Sequence, residues 1–155
     1  MLDLVLAMFM ALLCILVHFE ALVLVESLAT RIKSARVALL FTWSGLLVAH
    51  VFEIWMYAVA YYLCDIFALG EVNGASSLFD YAYYSAVVYT TLGFGDLVPN
   101  EGVRMLTGSE ALVGLSLIAW SATVTYSRVQ LHRDEGKDGY SFIYRRVQLW
   151  LERDR

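Results

Sequence analysis

The stretch Thr90-Thr91-Leu92-Gly93-Phe94-Gly95-Asp96 could do chemistry with its backbone alone. Gly93 and Gly95 alternate with larger residues, and glycine enters backbone conformations that other residues resist. Successive carbonyl oxygens can then point the same way, toward one axis. A dehydrated cation needs several oxygens in place of its water. A stack of carbonyl rings supplies them without net charge, so the ion can still leave.

A second set of residues is ionisable and lies inside apolar runs: His18, Glu20, His50, Glu53 and Glu110. Charge at membrane depth is expensive and often functional. His50 and Glu53 are three apart, hence on one helix face. They either satisfy a hydrogen bond between helices or belong to a proton-sensitive switch. Glu110, four residues before Gly114, is placed near the back of the apolar half-helix described below, protonated or accepting bonds there. A metal-dependent membrane enzyme built on all five is a remote alternative. The residues are scattered, and two histidines with glutamates are not a strong ligand set. Cys14 and Cys64 lack metal-ligand spacing and read as packing residues.

The elements that must position these residues follow from composition. Of 155 residues, 60 % are apolar and 17 % charged, against about 45–50 % and about 25 % in soluble domains. Three runs are long enough to cross a bilayer core, about 20 residues each: about Leu2 to Val25, Val37 to Leu63 and Val103 to Tyr126. The first lacks a basic leader and a cleavage site, so it reads as a retained helix rather than a signal peptide. It also carries no arginine ladder, which argues against voltage sensing of that kind. After the loop Gly70–Ser77, with Ser76 or Ser77 as a helix N-cap, Leu78 to Thr90 is apolar and too short to cross. It fits a re-entrant half-helix. Non-helical backbone beside it at membrane depth is tolerated only where protein buries it or water lines it.

Charge sets the orientation. Ten of the eleven basic residues fall between the first two runs or after the third, and Arg104 alone lies opposite. The positive-inside rule then puts the N-terminus outside and the C-terminus in the cytoplasm. Asp3, Asp65, Glu71, Asp80, Asp96 and Glu101 gather on the outer face. A negative mouth concentrates cations, although topology alone produces the same asymmetry. The net charge of -4 argues against a nucleic-acid partner. From Tyr140 onward, apolar and basic residues interleave as in an amphipathic helix at the inner interface or a helical bundle below the membrane. The tail is too small for a nucleotide- or calcium-sensing domain. The chain divides into an N-terminal transmembrane helix over 1–30, a central unit over 36–127 and a tail helix over 136–155.

Thr91-Leu92-Gly93-Phe94-Gly95-Asp96 resembles the filter signature of potassium channels, usually Thr-Val-Gly-Tyr-Gly-Asp. Ala86-Val87-Val88-Tyr89-Thr90 is similar to the end of that family's pore helix, and Tyr83-Tyr84 falls where a tryptophan pair is common. Asp96-Leu97-Val98-Pro99 continues the pattern. Arg104 and Gly114 mark the start and hinge of an inner helix, and the likeness covers roughly Val37 to Tyr126. The resemblance implies an all-α membrane protein: three transmembrane helices, a re-entrant pore helix and a filter loop. It implies a homotetramer around a central pore, since one chain holds one pore loop and no internal repeat.

The resemblance further implies a potassium channel of the cell membrane, multi-pass, with itself, the bilayer and potassium ions as partners. No cofactor is expected beyond potassium bound in the filter. The ion-binding oxygens would be the Thr91 hydroxyl and the carbonyls of Thr91, Leu92, Gly93 and Phe94, in the carbonyl-ring mechanism established for potassium channels. Gly95 would permit the outer turn. Asp96, Tyr83, Tyr84 and Glu110 would support the filter. Gly114, Leu115, Ile118, Ala122 and Tyr126 would form the pore-lining and gating set, or else face neighbouring helices. Leu92 and Phe94 depart from the usual valine and tyrosine, and Phe94 has no hydroxyl for the surrounding cuff. A weakly selective monovalent cation channel is therefore the alternative, and a non-conducting assembly subunit a further one.

Overall fold

A computed structural model of the chain describes residues 2–134 and, in the tail, Glu152 alone. The tail helix expected over 136–155 otherwise lies outside the described residues. The element order is α1 (Leu2–Ala29), α2 (Ala35–Ile66), β1 (Val72–Asn73), α3 (Leu78–Tyr89), β2 (Val98–Pro99) and α4 (Arg104–Asp134). Helices α1, α2 and α4 are each long and apolar enough to cross a membrane. Each outruns its apolar stretch: α4 continues beyond Tyr126 to Asp134. Helical hydrogen bonding needs no apolar side chain, and arginine, glutamine and leucine there are good helix formers.

Helix α1 is apolar all round, so its sequence does not say which side packs. In the fold it lies against α2 and α4. It buries Ala7, Met10, Cys14, His18, Leu22, Val25 and Ala29, a stripe at steps of three and four. Cys14 and Cys64 are both buried and unbridged.

Two short strands bracket α3 and the glycine stretch. β1 pairs antiparallel with β2, Val72 opposite Pro99 and Asn73 opposite Val98. The Asn100 Oδ1 accepts from the backbone N–H of Glu71 at 3.1 Å and of Gly102 at 3.0 Å. Strands of two residues leave no periodic signal in the sequence.

At 12 residues, α3 is about 18 Å long, well short of a bilayer core of about 30 Å. Its start is a capping box. Ser77 Oγ accepts from the Asp80 N–H at 3.3 Å, and Asp80 Oδ2 accepts from the N–H groups of Ser77 at 2.8 Å and Ser76 at 2.9 Å. These bonds, the Ser76 N–H first, hold the Asp80 carboxyl down at about 2. A depressed carboxyl stabilises the fold in its ionised form. That contribution is complete above the ordinary value of 3.8 and is lost as pH falls through about 2. Asp80→Ala is expected to lower the melting temperature of the purified protein at neutral pH, and the difference from wild type should shrink at the acid limit. An equal difference at both extremes would contradict the capping role.

Candidate functional site

The end of α3 sets the geometry of the glycine stretch. The Thr91 N–H donates to the Val88 carbonyl and the Leu92 N–H to the Val87 carbonyl, both at 2.9 Å. With Thr90 as the cap, this is a Schellman ending. Its left-handed position, normally glycine, is held by Thr91 at φ 59°. A β-branched residue there is strained, by about 1–2 kcal/mol. Gly93 at φ 63° and Gly95 at φ 79° continue the pattern. Every second residue of the stretch thus has positive φ, the alternation that lets successive carbonyls face one side. The Leu92 and Phe94 side chains are largely exposed on the single chain.

Tyr83 and Tyr84 flank this loop differently. The Tyr83 hydroxyl donates to Asp96 Oδ2 at 2.9 Å, tying the half-helix to the outer end of the loop. Tyr84 is buried, with its hydroxyl 2.9 Å from Thr107 Oγ1 on α4. Both have the hydroxyl that Phe94 lacks.

Glu110 is fully buried and joins three helices. The Tyr61 hydroxyl of α2 donates to its Oε2 at 2.6 Å, and Ser85 Oγ of α3 lies 2.5 Å from its Oε1. Ser85 Oγ is also 2.8 Å from the Ile54 carbonyl. A serine has one proton and the carbonyl can only accept. Both contacts are satisfied when the carboxyl supplies a proton at Oε1. Glu110→Gln, which keeps a donor and an acceptor, is expected to retain the stability of the fold. Glu110→Ala leaves Ser85 its bond to the Ile54 carbonyl but reduces the buried Tyr61 hydroxyl to a 3.4 Å contact with Thr107 Oγ1, a loss of about 1–3 kcal/mol. Thermal unfolding of the two variants checks this, and equal stability would contradict it.

On α4, Leu115, Ile118, Ala122 and Tyr126 share an exposed face. Gly114, expected in the pore-lining set, is buried in the single chain. It lies one turn from Ile118 on the adjoining buried side of α4, with Glu110 and Ser121, against the end of α3. A Cβ on Gly114 would overlap the Tyr89 carbonyl oxygen and lie 2.8 Å from the ring Cγ. The spacing of the stripe says which residues share a face; it does not reveal that glycine is needed for a close helix approach. Ile118 and Ala122 also border a cavity of about 200 Å³ with Trp43, Leu46, Leu47 and His50.

Of the five ionisable residues, three meet. His18 Nδ1 is 2.8 Å from Glu53 Oε1, and His50 Nδ1 is 3.2 Å from Glu53 Oε2. The Tyr89 hydroxyl donates to Glu53 Oε2. Ser121 Oγ lies 3.0 Å from His50 Nε2 and 3.2 Å from His18 Nε2. Glu20 is exposed on α1 and Glu110 belongs to the other cluster. Below, Arg128 of α4 donates to both carboxylate oxygens of Glu26 on α1.

Sequence reasoning missed His18 as a partner of Glu53, and missed Tyr61, Ser85, Tyr89, Thr107 and Ser121. A signal was present. Glu53, Tyr57, Tyr61 and Asp65 recur every four residues on α2, as do Tyr81, Ser85 and Tyr89 on α3. The two stripes face each other antiparallel. The Tyr81 hydroxyl donates to Asp65 at 2.7 Å at one end, and Tyr89 reaches Glu53 at the other.

A family model described as an ion channel, Ion_trans_2, matches residues 49–130, slightly more than half of the chain. No curated protein and no solved structure matches the chain.

Proposed function

The chain belongs to the Ion_trans_2 ion-channel family, which is not a family of enzymes, and from that premise we propose that it is a potassium-selective channel subunit. Four copies surround the pore, each contributing the carbonyls of Thr91, Leu92, Gly93 and Phe94 and the Thr91 hydroxyl. The observation that carries this reading is the alternation of positive φ at Thr91, Gly93 and Gly95 directly after a capped half-helix. Uncharged carbonyls replace hydration water and release the ion again. The half-helix directs its carbonyl end, which has partial negative charge, at the same point. The exposed Leu92 and Phe94 side chains find cover between subunits. Asp96, Tyr83, Tyr84 and Glu110 brace the loop, and the exposed α4 face lines the inner pore. The protein sits in the cell membrane with its N-terminus outside and its basic side in the cytoplasm.

A weakly selective cation channel of the same fold is the second reading. Phe94 favours it, because its ring offers no hydroxyl to hold the filter at fixed width. Reversal potentials across reconstituted bilayers, potassium against sodium, separate the two. The proposal expects a potential near the potassium equilibrium value. A value near zero in opposed potassium and sodium selects the second reading.

A further inference from the structure

Beyond conduction, we infer that His18, Glu53 and His50 form a binding site for a late first-row divalent cation of the zinc class. One ligand atom from each lies within 4.8 Å of the others. His18 and Glu53 are fully buried, and His50 is 14 % exposed. Two imidazoles and a carboxylate suit zinc, copper, nickel or cobalt rather than magnesium or calcium. With metal–ligand bonds of about 2.0–2.2 Å, neighbouring ligands of a tetrahedral site stand roughly 3.3 Å apart. The two nitrogen–carboxylate distances are 2.8 and 3.2 Å. These two distances run to different carboxylate oxygens, and the three ligand atoms stand within 4.8 Å of one another, so side-chain adjustment within the cluster admits the ion. The fourth position falls to water or to the Tyr89 phenol oxygen, 2.9 Å from His50 Nδ1.

The two imidazoles share both their partners. Both histidines present Nδ1 to Glu53, and both present Nε2 to the single hydroxyl of Ser121. If each Nδ1–H donates to the carboxylate, two Nε2 lone pairs face one serine proton, and that arrangement is one proton short. With mixed tautomers, His50 Nε2–H donates to Ser121, Ser121 donates to His18 Nε2, and the Tyr89 hydroxyl faces His50 Nδ1. A cation on the two Nδ1 atoms reverses the tautomers. Both Nε2–H groups then donate to Ser121 Oγ, which has two lone pairs to receive them. This is the outer-shell bond that metal-bound histidine usually makes. An added proton also closes the deficit, and the test below separates the two.

His50 and Ser121 border the cavity of about 200 Å³ between α2 and α4, so an ion can approach without opening the bundle. The groups that converge come from every helix: His18 from α1, His50 and Glu53 from α2, Tyr89 from α3 and Ser121 from α4. Tyr89 ends the half-helix two residues before Thr91. Occupancy therefore acts on the segment that carries the loop.

The test uses the full chain in lipid nanodiscs, dialysed against micromolar Zn²⁺ or Co²⁺. Expected are about one ion bound per chain and an X-ray absorption spectrum with imidazole scattering. Affinity should fall at least about tenfold in Glu53→Gln, His18→Gln and Ser121→Ala. Wild-type spectroscopy does not depend on any variant folding. Equal uptake by wild type and Glu53→Gln, or a spectrum without imidazole, overturns the assignment. So does a conductance that responds to acid in a protein that takes up no metal. Binding is read without flux, so failure here is distinct from failure of potassium selectivity.

Discussion

Gly93→Ala is expected to cut potassium flux through the proposed channel at least about a hundredfold. The reason is conformational rather than steric. A Cβ on Gly93 meets nothing within 4 Å in its own chain, but its φ is 63°. An L-residue there costs about 1–2 kcal/mol, and in the proposed ring of four that is roughly 4–8 kcal/mol concentrated in one layer of oxygens. The loop relieves it by rotating the peptide, which turns a carbonyl off the axis and removes a coordinating ring. Losing about 3 kcal/mol of stabilisation for the passing ion already slows transit about a hundredfold. Flux from liposomes should therefore fall at least that far, while size-exclusion chromatography still shows an assembled protein. Leu92→Val changes a side chain and keeps the backbone, so it should conduct. Near-normal flux in Gly93→Ala would remove the carbonyl filter from the account.

The second large effect is expected at Gly114. Its Cβ would collide with the Tyr89 carbonyl and ring. Tyr89 cannot step aside freely, because its hydroxyl is engaged with Glu53 and His50. Gly114→Ala therefore pushes α4 away from the end of α3. Overpacking of this kind costs about 1–3 kcal/mol per chain. The loop starts at Thr91, so the displacement reaches it directly. Flux should drop at least about tenfold, with a lowered melting temperature. Gly108→Ala is the matched control on the same helix. Nothing lies within 4 Å of its Cβ, and replacing a helical glycine gains roughly 0.5–1 kcal/mol. A Gly114→Ala protein as stable and conductive as Gly108→Ala would contradict the close approach.

How much of this was legible in the sequence depended on the length scale of the signal. Spans of 20 or more apolar residues are long, and all three expected helices are present. The half-helix was legible too, because its apolar run is too short to cross and follows a capping serine. Chemistry spread over several helices was not. His18 lies 35 residues from Glu53 and 103 from Ser121. No local period reports such contacts, and the uniform apolarity of α1 hides which face carries His18 inward. Glu110 was placed behind the half-helix by its distance from Gly114, and it does contact Ser85. Its second partner, Tyr61, needed the fold. Gly114 itself was grouped with the pore-lining residues, because a glycine in an inner helix suggests bending. Only the packed backbone shows that it makes room for Tyr89.

The most direct measurement is a structure of the purified chain in potassium, by electron cryomicroscopy, at a resolution that shows bound ions. The account predicts fourfold symmetry, with ion density on the axis between layers of carbonyls from residues 91–94. An assembly without that symmetry, or one in which these residues lie away from its axis, would contradict it.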